Sequence, residues 1–271
     1  SNRNHVDRLG SSCLNAWDCF FCRLKIKKGR KTMGIYSVNF ISDLLEENSY
    51  PGRGIIIGKS SDKRKAAVAY FIMGRSENSR NRIFVENGDE VIIRPFDESK
   101  VEDPSLIIYS PIKKYQNRLI VTNGNHTDTI VEYLEKGQTF ERALETRCFE
   151  PDAPNFTPRI SGMLTFEDGD FMYKMGILKS GNADGSVCNR HTFRYIPIPG
   201  LGHFIHTYNC DGDPIPSFTG EPERVVIPDD INVFTDSIWN SLNSANKISL
   251  YVRYIDLLSG KVENRLINKN I

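Results

Sequence analysis

The chain has 271 residues, 39% of them hydrophobic and 25% charged, which suits a globular protein with a sizeable core, built as one large domain or two small ones. Its formal net charge of +1 gives no global field to draw in nucleic acid or a membrane surface. With no apolar run approaching about 18 residues, no transmembrane helix is expected, and six scattered cysteines (13, 19, 22, 148, 188 and 210) are too few for a disulfide scaffold and point to a reducing, cytoplasmic setting.

Residues 1–32 hold eight Lys/Arg against two acids, a local +6 that leaves −5 for the remainder of the +1 chain. A signal peptide would set its charges ahead of an apolar run; here they follow CFFC (19–22). The segment is expected to be a non-native or disordered leader ahead of a natural start at Met33, with residues 33–271 as a single domain. Cys19 and Cys22 have C-x-x-C spacing. A structural zinc site takes four ligands, usually with a second close pair. Beside Cys13 only His5 is near enough to complete one, so no metal is expected.

RGIIIG (53–58) and KAAVAYFIM (65–73) read as strands joined by a polar turn. GRSENSRNR (74–82) follows, with three arginines and two asparagines in nine residues. RIFV and EVIIRPF flank residues 86–89, whose Asn-Gly pair is a strong hairpin signal; LIIYSPI and RLIVT flank KKYQN as a second hairpin. IVEYLEKG and TFERALETRCF then have helical spacing, with Ile130, Val131 and Leu134 on one and Phe140, Ala143 and Leu144 on the other. Thr129 and Glu132 fit a capping box, which predicts a helix start near Thr129, and Gly137 separates the two helices. Cys148 falls in the second pattern and reads as a buried core thiol.

Strands return at RISGMLTF and FMYKMGIL, then HTFRYIPI and GHFIHTYN. TDSIWNSLNSANK (235–247) reads as a helix capped by Thr235 or Asp236, with Ile238, Trp239 and Leu242 on one face. ISLYVRYIDLL and KVENRLI close the chain as a hairpin. This order predicts an α+β fold of antiparallel sheets, two packed face to face with helices outside. With no G-x-G-x-x-G and no P-loop, dinucleotide and Walker-type sites are not expected.

Four polar clusters sit at element ends: Tyr50-Pro51-Gly52-Arg53; Arg75, Arg80, Asn81 and Arg82; NGNHTDT (123–129); and FEPDAPNFTPRI (149–160), with Glu150, Asp152, Asn155 and Arg159. Each alone has a plain explanation: solvated arginines, a turn, a helix cap, a satisfied histidine, a helix stop. Together they offer helix N–H groups for a phosphate, bidentate arginines, and Asn, Thr and His for hydroxyls and base edges. The residues alone reach an anionic, hydrogen-bonding small-molecule site and name no reaction.

GRSENSRNR, then IIYSPI, NGNHTDTI and FEPDAPNFTPRI, in that order, resemble the archaeal-type IMP cyclohydrolases and their bacterial relatives, and YPGRGIIIG resembles their N-terminal strand. The resemblance runs from Tyr50 to Arg159. It implies a four-layer αββα sandwich of the N-terminal-nucleophile hydrolase type, although nothing at the expected start invites a nucleophile's role. It implies ring closure of 5-formamidoimidazole-4-carboxamide ribotide to IMP with loss of water, with no metal or other cofactor. The ribotide would be the small-molecule partner, with no nucleic acid or membrane, in the cytoplasm, and homo-oligomerisation left open. By motif position Arg82 stabilises oxyanion charge, Tyr109 exchanges a proton at the formyl oxygen, and Glu150 is the general base toward the amide or orients it. Arg75, Asn81, Asn123, His126, Thr127 and Asp128 are the implied ribotide contacts, with Arg53 and Arg159 at the phosphate. The arginine-rich loop is longer here, so the catalytic position falls to Arg82 or Arg80; the shared Asn-Arg pair favours Arg82. Two other readings stand beside this one: a non-catalytic purine-nucleotide binder, and an amide hydrolase on the same fold.

Overall fold

Apolar runs without alternation, such as KAAVAYFIM, are what a strand covered on both faces requires, and the structure places them so. The computed structural model describes Gly34 and residues 36–101 and 109–271; the leader at 1–32, with His5, Cys13, Cys19 and Cys22, and Met33 lie outside the described residues, as does the start of LIIYSPI. Val38–Ile271 forms one compact unit.

The strands among the described residues are β1 (Arg53–Lys59), β2 (Lys65–Met73), β3 (Ile83–Asn87), β4 (Glu90–Arg94), β5 (Ile112–Tyr115), β6 (Arg118–Thr122), β7 (Arg159–Glu167), β8 (Asp170–Ser180), β9 (Cys188–Tyr195), β10 (Leu201–His206), β11 (Glu223–Val226), β12 (Lys247–Asp256) and β13 (Val262–Asn268). The helices are α1 (Ile41–Glu47), α2 (Glu77–Arg80), α3 (His126–Glu135), α4 (Phe140–Glu145) and α5 (Ile231–Ser241). One sheet has the order β11-β10-β1-β2-β12-β13 and the other runs β3 to β9 in sequence order. Every pairing between these strands is antiparallel. The α+β architecture of two antiparallel sheets is the one the element order predicts.

Successive side chains on a strand point to opposite faces. Ile55 and Ile57 of β1 and Val68, Tyr70 and Ile72 of β2 pack against Phe84, Ile93, Ile112, Val121, Ile160 and Leu164 of the other sheet. Their alternates Ile56, Ala67, Ala69 and Phe71 meet Ile41, Leu45, Phe234 and Ile238 of α1 and α5. On the far face of the second sheet, Ile120, Met163 and Leu178 receive Ile130, Leu134, Phe140 and Leu144 of α3 and α4. Each Val, Leu, Ile, Met or Phe among them contributes about 1.5–3 kcal/mol when fully buried, so stability comes from these layers and polar groups at the sandwich's end are free for other work.

Three expectations are corrected. Helix α3 begins at His126, not near Thr129: its N-cap is Asn125, with no side-chain cap bond, and Thr127 ties the first turn by donating to the Gly124 carbonyl at 3.1 Å. Helix α5 begins earlier than 235. Its cap is Asp230, which accepts from Asn232 N and Val233 N, while Thr235 donates to Ile231 O inside the helix. Cys148 lies beyond the end of α4 and is exposed, so it is not a core thiol.

Candidate active site

One end of the sandwich gathers the polar clusters. Arg53 opens β1 opposite Ile72 near the end of β2. Gly54 pairs with His206 at the end of β10, and Thr122 at the end of β6 pairs with Ser161 near the start of β7. The segments leaving these strands line a cavity of about 470 Å³ that includes Tyr50, Arg53, Arg75, Arg82, Tyr109, Asn123, Gly124, Glu150, Asp152, Thr157, Arg159 and Tyr208.

The turn before β1 is built around Gly52, with φ +77° and a hypothetical Cβ 2.2 Å from Thr207 Oγ1, so no side chain fits there. Arg53 N donates to that same Thr207 hydroxyl at 3.1 Å, which anchors the arginine at the cavity. The Nε atoms of Arg53 and Arg82 are both buried without a hydrogen-bond partner, and among the described residues neither guanidinium has an ion pair. Burial, and then the charge of Arg53, pushes the Arg82 pKa down. Two desolvated guanidinium groups with no ion-paired carboxylate among the described residues leave the cavity suited to an anion; the penalty for burying one such ion is several kcal/mol.

Tyr109 donates to Asn123 O at 2.8 Å, and Tyr70 Oη lies 3.4 Å from Tyr109 Oη. Burial, then Tyr109, raises the Tyr70 pKa well above its ordinary value, so Tyr70 keeps its proton and can donate it to the Tyr109 oxygen. Glu150 Oε1 sits 2.9 Å from Arg159 Nη1. In the cavity wall the buried rings of Tyr50 and Tyr208 stack at 5.8 Å. Tyr208 meets Thr157 Oγ1 at 2.6 Å, and Thr157 N donates to Asp152 at 2.7 Å. Arg75 lies over the Tyr50 ring and pairs with Asp211 at 2.6 Å.

Of the residues expected from sequence, Arg82, Tyr109, Glu150, Arg53, Arg75, Asn123 and Arg159 line the cavity. Asn123 does so mainly by its backbone, since its amide donates to Pro158 O and accepts from Ile160 N. Four others are not brought there. Asn81 is buried and exchanges two hydrogen bonds with the Asp97 backbone. His126 and Thr127 are fully buried behind the wall. Asp128 faces out and pairs with Lys113 at 2.8 Å. Arg80 is held outside by Gly74 O and Asn246. Sequence reasoning missed Tyr70, which is hidden in an apolar run, and Tyr208 and Thr157, whose contact spans 51 positions.

Among the described residues no cluster of His, Cys, Asp and Glu gathers that would hold a metal ion, and no helix is long and apolar enough to cross a membrane.

The sequence profile of a family described as IMP cyclohydrolase-like protein matches residues 50–261. The chain is 30% identical over 166 residues to an IMP cyclohydrolase of Methanococcus aeolicus, covering 59% of this chain and 75% of that protein. It is 31% identical over 147 residues to one from Methanococcus maripaludis, covering 49% and 71%. A relative of the same name from Methanocella arvoryzae is 36% identical over 121 residues, 43% of this chain and 58% of that protein. The profile spans all the cavity-lining segments, and the chain belongs to the IMP cyclohydrolase-like protein family.

Proposed function

We propose that the chain is an IMP cyclohydrolase that closes 5-formamidoimidazole-4-carboxamide ribotide to IMP and water. The observation that carries this reading is the convergence of Arg82, Tyr109 and Glu150, from three separate segments, on one cavity with the unpaired Arg53, in a chain of this family.

The carboxamide nitrogen bonds to the formyl carbon. The formyl oxygen then leaves as water, with one hydrogen from the carboxamide nitrogen and one from the formamido nitrogen. Both reacting groups belong to one bound molecule, so holding them in attack geometry supplies much of the rate; well-oriented intramolecular reactions gain about 7–11 kcal/mol. Glu150 accepts the carboxamide hydrogen, and Arg82 stabilises the charge that develops on the formyl oxygen. Tyr109 turns its hydroxyl from Asn123 O to that oxygen, with Tyr70 donating behind it. Arg75 already has Asp211, so the unpaired Arg53 is the stronger partner for the ribotide phosphate. The helix–sheet–sheet–helix layering supports the αββα sandwich of the N-terminal-nucleophile hydrolase type, with residues 33–271 acting as one cytoplasmic domain.

The test is direct. Purified protein given the formamido ribotide with a chelator present should form IMP, followed by ultraviolet absorbance. Tight IMP binding without turnover would select the non-catalytic reading.

A further inference from the structure

NGNHTDTI and the arm that leads into β7 meet through Asn123, His126 and Arg159. Arg159 Nε donates to Cys148 O at 2.9 Å. Its Nη1 faces Glu150 Oε1 at 2.9 Å and His126 Nδ1 at 3.5 Å. We propose that Arg159 and His126 are positioning residues that hold Glu150 as a carboxylate with one oxygen clamped and one free, rather than contacts to the ribotide. This inference rests on the ring-closure reading and says how that site aims its base.

The tautomer of His126 follows from its surroundings. Nε2 lies 3.2 Å from Ile160 O, an acceptor without a proton, so Nε2 carries the hydrogen and Nδ1 offers a lone pair to Arg159. A second proton would have to sit on Nδ1, facing a guanidinium. Burial first, then the charges of Arg159 and Arg147, push the His126 pKa well below its ordinary value. The ring is therefore a neutral acceptor. That chemistry suits the position: a carboxylate there would compete with Glu150 for Arg159, and a cation would repel it. His126 fixes the guanidinium while leaving its charge for Glu150.

The backbone completes the clamp. Glu150 N donates to Thr157 O at 2.9 Å, closing the arm on itself. Gly124 leaves room: a Cβ there would lie 2.4 Å from Arg159 Nη1 and 3.3 Å from Glu150 Oε1. Glu150 Oε2 has no hydrogen-bond partner among the described residues. A base with one fixed, free oxygen is what abstraction from a weakly acidic amide needs.

The experiment is steady-state kinetics on the formamido ribotide with wild type, Glu150→Gln, His126→Leu, His126→Asn, Arg159→Lys and the double variant His126→Leu/Glu150→Gln, each with its melting temperature. His126→Leu should lower kcat about tenfold or more with KM little changed, because misplacing a base by about 1 Å is enough for a loss of that size. Asn places an acceptor where Nδ1 was, so His126→Asn should recover most of the kcat. In the Glu150→Gln background, His126→Leu should lower kcat no further. Additive losses in the double variant, or a raised KM with unchanged kcat in Arg159→Lys and His126→Asn, would overturn the proposal. Should His126→Leu not fold, Arg159→Lys decides: a kcat lowered about tenfold or more with KM little changed supports the proposal, because lysine keeps the charge and loses the fork that meets Glu150 and His126 together, and an unchanged kcat overturns it. A wild type that makes no IMP defeats the function itself and takes this inference with it, which is a different result from an active enzyme indifferent to His126.

Discussion

Tyr109 gives its phenol hydrogen to the main-chain oxygen of Asn123 at 2.8 Å, and the buried hydroxyl of Tyr70 stands 3.4 Å behind it. The pair forms a short donor chain ending at the cavity. Tyr109→Phe keeps the ring, which packs in the core between the sheets, and removes only the hydroxyl. Turnover should fall about a hundredfold or more, as for loss of a general acid, while the cost in stability should stay near 1 kcal/mol for one lost hydrogen bond. Tyr70→Phe should lose less than Tyr109→Phe, since it only feeds the donor. Kinetics alongside chemical denaturation of both variants provide the check; a Tyr109→Phe enzyme with normal turnover excludes the proton-transfer role.

The arginine-rich loop yields a prediction in which activity and stability move in opposite directions. Arg82 is desolvated, repelled by Arg53 and without an ion pair among the described residues. Removing a buried charge that has no ion pair relieves a penalty. Arg82→Met should therefore lower kcat/KM about a hundredfold or more through loss of oxyanion stabilisation and yet melt no lower than wild type. Arg80→Met should stay within a fewfold of wild-type activity, because Arg80 is bonded outside the cavity to Gly74 O and Asn246. A severe loss in Arg80→Met with a mild one in Arg82→Met would reverse the assignment.

Gly124 needs no side chain for a steric reason and not a conformational one. An added Cβ would sit 2.4 Å from Arg159 Nη1 and 3.2 Å from His126 Nδ1. Gly124→Ala should displace the guanidinium and with it Glu150, cutting kcat about tenfold or more, as a misplacement of about 1 Å does. Ser161 on β7, whose buried hydroxyl has no hydrogen-bond partner among the described residues, makes a control: Ser161→Ala should leave turnover near wild type. Equal effects of the two substitutions would mean that Gly124 matters only to general packing.

Much of the fold is legible because local rules and global packing agree. The Asn87-Gly88 pair closes β3 and β4 at the expected place, and RGIIIG and KAAVAYFIM are continuous because helices and a second sheet cover both faces. What is illegible depends on long-range pairing. Strand β10 inserts between β1 and β11, and nothing in GHFIHTYN announces that Gly54 will meet His206 or that Tyr208 will line a cavity with Tyr50. The site divides the same way. The motif order points to Arg82, Tyr109 and Glu150, but motif membership does not separate wall from support: His126 and Thr127 sit in the same run as Gly124 and are buried behind it. The two helix starts depart from expectation because Thr129 and Thr235 have good cap chemistry, while Asn125 and Asp230 occupy the positions.

Two of the three buried histidines among the described residues, His126 and His203, predict how stability responds to acid. Burial, then the charge of Arg224, lowers the His203 pKa to about 4, and Tyr173 Oη contacts its Nδ1 at 2.6 Å; His126 is lowered well below its ordinary value as well. The unfolded chain protonates both near pH 6.5, and the native state withholds the proton. The native state thus keeps its full stability above about pH 6.5 and loses it as pH falls toward 4, by at most about 1.4 kcal/mol per pH unit for each histidine. Carboxyl groups have ordinary values near 4, so the interval from pH 6.5 to 5 reports mainly on histidine. The urea midpoint of the wild type should fall across that interval. In His203→Phe the fall should be shallower, whatever the midpoint at pH 7. A midpoint that stays level from pH 7 to 5 would show that neither ring is held neutral by the fold, and an equally steep fall in His203→Phe would show it for His203.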